Sequence, residues 1–186
     1  MKAIDSNLLV YASLANHPAM MACEQYIAGY PVWVTSIVNL VELRRVLVGV
    51  YGVSESDADA KFTDLRKALV VEDLTAAVAE AALSLRQSYG IDFNDAVLLE
   101  SSRQRGVTVL ATDDSQLAIA CATMGINVEN PVTPAVRAQM TNWENQNLPA
   151  KGLPRILLRV HRWIDQHDAA LARDFHSATQ ALSRLV

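Results

Sequence analysis

The chain has 186 residues, 51% hydrophobic and 19% charged, with 7 Gly and 6 Pro; a chain of this size buries roughly 70% of the surface its unfolded form exposes, so it needs no metal or disulfide staple to build a core. That composition excludes disorder and collagen-like repeats. A net charge of -4 argues against a protein that holds nucleic acid mainly through a large positive field, although residues 1–130 carry 9 Lys and Arg against 16 Asp and Glu and residues 131–186 carry 7 against 4, so an acidic body joins a basic tail.

From Lys2 to Glu129 short apolar runs alternate with longer segments of helical period, the pattern of a parallel sheet covered by helices. The predicted class is α/β, a central parallel sheet of about five strands flanked by helices. The strands are expected at Lys2 to Ile4, Val32 to Thr35, Leu69 to Glu72, Val107 to Ala111 and Ile126 to Glu129, all short and rich in β-branched residues. Helix starts are marked by Thr35 or Ser36, Ser54, Thr75 and Asp92, and helix ends by Gly52, Gly90, Gly106 and Gly125.

After Asn130 the composition changes, which predicts a body over residues 1–130 and an appendage over 131–186. Pro131 and Pro134 end the alternation, and the polar stretch from Thr141 to Pro154 reads as a linker. Beyond it Ile156, Leu157, Val160, Trp163, Ile164, Leu171, Phe175, Leu182 and Leu185 recur mostly at three- and four-residue spacing, the signature of one or two amphipathic helices. Trp143, Trp163 and Phe175 are expected to anchor into apolar surface. No unbroken apolar run is long enough for a transmembrane helix or a signal peptide, because Asp5, Asn7, Asn16, His17 and Pro18 interrupt the start. Cys23 and Cys121 form no paired motif and predict small buried hydrophobes in a reducing, cytoplasmic setting.

Four places put carboxylates where an economical core would not. Asp5 follows the first strand, Glu42 lies inside Leu40-Val41-Glu42-Leu43, Asp95 follows Asp92 at a helix start, and Asp113 and Asp114 follow the strand ending at Ala111. In an open parallel sheet ligands bind at the carboxyl ends of the strands, where Asp5, Asp95 and Asp114 are expected to converge. A helix starting near Ser36 brings Glu42 within about two turns of the same edge. Each residue also has a plainer role: Asp92 as an N-cap with Asp95 as a favourable first-turn acid, Asp114 or Ser115 as a cap, Asp5 as a cap at Ser6, and Glu42 as a partner of Arg45. Close carboxylates repel unless a cation sits among them, and oxygen-only ligation suits Mg²⁺ or Mn²⁺.

The order Ala3-Ile4-Asp5-Ser6-Asn7, Thr35-Ser36 with Glu42-Leu43, Asp92-Phe93-Asn94-Asp95-Ala96 and Leu110-Ala111-Thr112-Asp113-Asp114 resembles the PIN-domain family, and within it the toxin ribonucleases of VapC-type toxin-antitoxin pairs. The resemblance covers roughly residues 1–130. It implies a PIN-like fold and an Mg²⁺- or Mn²⁺-dependent endoribonuclease acting on single-stranded or looped RNA through metal-activated water. Asp5, Glu42, Asp95 and Asp114 are then the catalytic acids and metal ligands, with Asn7 and Thr112 as polar support and Asp92 and Asp113 as additional carboxylates. It further implies homodimers and an antitoxin partner.

Arg44, Arg45, Arg103 and Arg105 are the candidate RNA contacts on the body, and Lys151, Arg155, Arg159 and Arg162 those on the tail, against solvated helix faces as the plainer reading. The remaining alternatives are an RNA- or protein-binding module on the same fold without nuclease activity, and a phosphatase using Asp5 as nucleophile. The second lacks the further Asp that such phosphatases generally have at the position of Asn7.

Overall fold

The computed structural model describes residues 1–148 and 155–183. Five parallel strands, β1 (Lys2–Ile4), β2 (Trp33–Ser36), β3 (Val70–Glu72), β4 (Val109–Ala111) and β5 (Asn127–Glu129), form one sheet in the order β3-β2-β1-β4-β5. Between β1 and β2 run α1 (Ser6–Ala12) and α2 (Met20–Ala28), and between β2 and β3 run α3 (Ile37–Gly49) and α4 (Glu55–Ala68). The pair α5 (Ala76–Tyr89) and α6 (Phe93–Gln104) precedes β4, and α7 (Ser115–Thr123) joins β4 to β5. The fold is therefore the α/β class read from the alternation of the sequence.

The strands match their expected positions except that several begin a residue or two late, and the helices before them supply the reason. The N–H of Leu69 bonds to the Leu65 carbonyl, that of Val107 to Ser102, and that of Ile126 to Cys121. Each of these residues closes the end of a helix before the ladder begins. Gly90, at φ 66°, takes the left-handed turn that ends α5, a conformation costly for a residue with a Cβ.

Ser36, Ser54 and Thr75 cap α3, α4 and α5 by accepting the N–H groups of Asn39, Asp57 and Val78. Asp92 occupies the cap position of α6, but its side chain accepts no backbone hydrogen bond there. Leu8, Leu40, Leu43, Val97, Leu98, Leu99, Leu110 and Leu117 are fully buried. Helix α6 is buried without a break from Ala96 to Ser102, so it is anchored inside the structure, while its first turn, Phe93 to Asp95, is half-buried.

The sheet order sets a topological switch point. From β1 the chain moves outward through β2 to β3, then crosses back to β4 on the other side of β1. The pairing of Ile4 with Ala111 brings the next residues, Asp5 and Thr112, side by side at the carboxyl edge.

The chain divides into two compact units, Met1–Ala138 and Gln139–Val186, the break falling inside α8 (Pro134–Asn147). That helix replaces the first half of the expected linker, since Thr141 to Asn147 is helical. Thr133 accepts the Val136 N–H at 3.3 Å, and Pro134 stands in the first turn, where its missing N–H has no intrahelical partner to lose. No breaker then follows before Pro149; residues 149–154, with Lys151, lie outside the described residues.

In the second unit α9 (Arg155–Asp165) and α10 (Ala169–Ser183) form a helical hairpin, with Asp168 capping α10 and the His161 ring 6.5 Å from that of Phe175. Trp163 does not anchor there: it is 64% exposed, with its ring 4.8 Å from that of His167. Arg162 is exposed, while the side chains of Arg155 and Arg159 lie outside the described residues. No helix among the described residues is long and apolar enough to cross a membrane.

Candidate active site

Asp5 is the innermost of the acids, 2% exposed at the end of β1. Although it holds the cap position of α1, its side chain caps nothing and points its hydrogen-bonding capacity elsewhere. Oδ2 accepts the Thr112 hydroxyl at 2.7 Å, while Oδ1 accepts the Ser6 hydroxyl at 3.2 Å and the Asn39 amide at 3.3 Å. Burial, reinforced by the Glu42 charge, still pushes its carboxyl up to about 6, with the Thr112 hydrogen bond pulling the other way.

Thr112 is the hub of the support. Besides donating to Asp5, its hydroxyl oxygen accepts the Asp114 N–H at 2.9 Å and the Asn7 amide at 3.4 Å. Asn7 in turn accepts the Asp113 N–H at 3.4 Å. The turn after β4 is thus tied to the turn after β1 by side chains that are themselves held.

Asp114 has two roles. Its Oδ1 caps α7, accepting the N–H groups of Gln116 at 2.7 Å and Leu117 at 2.8 Å, which leaves Oδ2 for another partner. Glu42, on α3, has a side chain 23% exposed; its Oε2 accepts the Ser6 hydroxyl at 3.0 Å and its Oε1 lies 3.9 Å from the Arg45 guanidinium. Ser6 therefore bridges Asp5 and Glu42.

Asp95 completes the set from the first turn of α6. Burial pushes its carboxyl up to about 8, and the charges of Asp5, Asp114, Glu42 and Asp92 all push in the same direction. A helix N-terminus favours an anion by about 0.3–1 kcal/mol, less than one pKa unit's worth, so it does not offset that crowding. The four acids expected to converge are brought into one electrostatic neighbourhood. Asp92, exposed at the helix start, adds its charge from the rim.

Asp113 behaves differently from its neighbour. Its side chain is 5% exposed and pairs with the Arg137 guanidinium, with Oδ1 also accepting the Asn130 amide at 2.8 Å and Oδ2 the Tyr11 hydroxyl at 3.5 Å. Adjacent residues in a turn thus send one carboxylate to the acidic cluster and one to an ion pair.

The arginines separate in the same way. Arg44 bonds to Asp59 and lies 3.4 Å from Glu55, tying α3 to α4. Arg103 holds Glu100 through two hydrogen bonds of 2.8 Å, and Arg105 pairs with Glu72 at 2.6 Å. Arg45, whose side chain is 65% exposed, is the one of the four beside the acids.

Asn39 and Ser6 are site residues that the sequence reading did not select. The available signal was spacing: Ser36, Asn39 and Glu42 recur every three residues and so form a polar strip along the first half of α3, whose other residues there are apolar.

By donor chemistry the set fits a hard divalent cation: all oxygen, negatively charged and partly buried. Among the described residues, however, no three His, Cys, Asp or Glu side chains stand around one point as ligands already in place. The two free cysteines are buried, and burial, with the Asp5 and Asp95 charges, pushes the Cys121 thiol up to about 12. It is an inert apolar filler there.

The PIN domain family model matches residues 2–122, nearly two thirds of the chain, and the chain belongs to that family. The fold is similar to that of the sarcin-ricin-loop-cleaving toxin VapC20 of Mycobacterium tuberculosis, with a TM-score of 0.59 and 21% identity over 64% of this chain and 95% of that one. It is also similar to a chain of a toxin-antitoxin complex from Klebsiella pneumoniae, with a TM-score of 0.53 and 18% identity over 70% and 98% of the two chains. No curated protein matches the sequence.

Proposed function

We propose that the chain is a divalent-metal-dependent endoribonuclease that cuts single-stranded or looped RNA and serves as the toxin of a toxin-antitoxin pair. The observation that carries this reading is the state of Asp95, whose carboxyl is pushed up to about 8 by burial and by four neighbouring carboxylates at the switch point of a parallel sheet. Such crowding is unfavourable in isolation and becomes useful when a cation offsets it. Membership of the PIN family and the likeness of fold to a toxin and to a chain of a toxin-antitoxin complex support the same reading.

Asp5, Asp95 and Asp114 are the proposed ligands, with Glu42 binding directly or through water. When bound, Mg²⁺ or Mn²⁺ supplies a polarised phosphoryl oxygen and a bound water of lowered pKa. The chain's own contribution is orientation: Thr112, Ser6 and Asn39 hold Asp5, and the α7 cap holds Asp114 by one oxygen. Asn7 and Thr112 fix the two turns relative to each other. Both oxygens of Asp5 accept hydrogen bonds, an arrangement that suits a buried ligand better than the nucleophile of a phosphatase.

The partners proposed are the RNA substrate, a cognate antitoxin and a second copy of the chain, and the setting is the cytoplasm, in keeping with two buried free thiols. One observation favours a second reading, a binding module without cleavage: the carboxylates are not already arranged as a ligand shell.

The test incubates purified protein with structured and single-stranded RNAs in Mn²⁺ or Mg²⁺, beside an EDTA control and the Asp5→Asn and Asp95→Asn variants. Metal-dependent cuts that both folded variants lose are expected. If wild type binds metal, carries no co-purified partner and still cuts nothing, the general ribonuclease reading fails and the binding module takes its place.

A further inference from the structure

The ion pair at Asp113 connects the acidic site to a part of the chain outside the family match, which ends at residue 122. Arg137 lies one turn into α8, a helix that starts on the Thr133 cap and Pro134. Its guanidinium reaches back to the turn between β4 and α7 and holds Asp113 Oδ1, where the Asn130 amide also donates at 2.8 Å.

We propose that Arg137 is a positioning residue for the acidic site, acting through Asp113 to fix the Thr112–Asp114 turn. The proposal rests on the metal-dependent reading above for its consequence, but its geometry is independent of that reading.

The argument begins with the asymmetry of the pair. The Asp113 side chain is 5% exposed and that of Arg137 51%, so removing the arginine leaves a buried carboxylate with the Asn130 and Tyr11 hydrogen bonds but stranded without its countercharge, whereas removing both charges does not. A stranded charge relaxes by turning outward, and here it cannot turn alone. Its own N–H is held by Asn7, and its neighbours are Thr112, whose hydroxyl orients Asp5, and Asp114, whose N–H bonds to that hydroxyl. Displacing Asp113 therefore loosens two of the proposed ligands at once. With Arg137 in place, Asp113 is engaged in the ion pair, and of the two adjacent acids Asp114 alone adds its charge to the cluster.

The test uses the full chain and two readouts that need no RNA: Mn²⁺ affinity by electron paramagnetic resonance, and amide hydrogen exchange at Asp113 and Asp114 in EDTA. The variants are Arg137→Met, Arg137→Lys and the double variant Asp113→Asn with Arg137→Met, in which Asn keeps a side-chain acceptor for Asn130. Loss of an outer-shell partner typically weakens metal binding 10–100-fold. The expected result is about tenfold weaker Mn²⁺ binding and faster exchange in Arg137→Met, partial rescue by Lys, and a return to within about twofold of wild type in the double variant.

Unchanged affinity and exchange in Arg137→Met overturn the proposal. An equal loss in the single and double variants also overturns it, because Arg137 then acts by a route other than Asp113. If wild type binds no Mn²⁺, the metal reading fails, and exchange at the two amides decides the positioning role by itself: faster in Arg137→Met and restored in the double variant supports it, and any other pattern overturns it. Should Arg137→Met fail to fold, comparison of Arg137→Lys and the double variant against wild type decides: weakened binding and faster exchange in the first with near-wild-type values in the second support it, and equal values overturn it.

Discussion

The Thr112 hydroxyl donates to Asp5 Oδ2 at 2.7 Å while its oxygen accepts the Asp114 N–H at 2.9 Å, so a single side chain aligns acids that follow two neighbouring strands. Thr112 is 1% exposed, and nothing in water can replace it. Replacing it by Val keeps the shape and removes these two bonds together with that from the Asn7 amide, leaving a buried carboxylate oxygen and the part-buried Asp114 N–H without their partner. The expected cost is about 1–3 kcal/mol, read as a lower urea midpoint at unchanged slope. Thr112→Ser keeps the hydroxyl and is expected to retain most of the stability and cleavage. Equal midpoints for the Val variant and wild type would show that the network carries no weight.

The metal-free protein is expected to lose stability as pH rises. The Asp5 carboxyl is pushed up to about 6 and the Asp95 carboxyl to about 8, burial being the largest cause in each case, whereas an unfolded Asp titrates near 3.9. Between those values the folded state holds more protons than the unfolded one. The stability from these two groups is therefore full below about pH 4 and is lost progressively up to about pH 8. Mg²⁺ binds the ionised form, so its stabilising effect runs the opposite way and grows with pH. Urea midpoints from pH 5 to 9, in EDTA and in millimolar Mg²⁺, check both arms; a midpoint in EDTA that rises steadily with pH contradicts the first.

Asp95→Asn separates function from stability. At pH 9 in EDTA the wild-type carboxylate ionises among the charges of Asp5, Asp114, Glu42 and Asp92, and the amide does not. The variant is expected to melt at a higher temperature than wild type under those conditions and at a similar one near pH 5, where Asp95 is already protonated. It is also expected to lose the Mg²⁺-induced rise in melting temperature and the cleavage of RNA. A variant less stable than wild type at pH 9 would show that Asp95 is held by favourable contacts rather than crowded by repulsion.

Much of this site is readable from the chain because its acids sit at changes of element. Asp5 and Asp114 follow strands, Asp95 opens a helix, and the alternation of apolar runs places all three at one edge. Glu42 was readable from the cost of a carboxylate between Leu40 and Leu43, both of them fully buried. What local pattern does not contain is direction. Asp113 and Asp114 are adjacent and identical in type, and which one faces the cluster is decided by Arg137, 24 residues further on. Asn39 reads locally as a first-turn residue of α3, and its bond to Asp5 spans 34 positions. The helical Thr141–Asn147 was obscured by polar composition, because its start is fixed upstream at Thr133 and Pro134.

The arginines give a prediction on the RNA side. Arg44 and Arg45 are neighbours on α3, about 100° apart around the helix, and that angle separates their roles. Arg44 is turned to α4, where Asp59 and Glu55 hold it, whereas the 65% exposed Arg45 side chain stands 3.9 Å from Glu42 at the edge of the acids. Its pair with Glu42 is long and solvated, so the guanidinium is available to a phosphate arriving at the site. Arg45→Gln is expected to raise KM for RNA several-fold with kcat nearly unchanged, and to reduce the dependence of log binding on log salt by about one. Arg44→Gln is expected to lower the melting temperature slightly and leave KM and the salt slope as they are. Cleavage kinetics and RNA binding measured across a salt series distinguish the two, and equal salt slopes for Arg45→Gln and wild type would remove Arg45 from the RNA path.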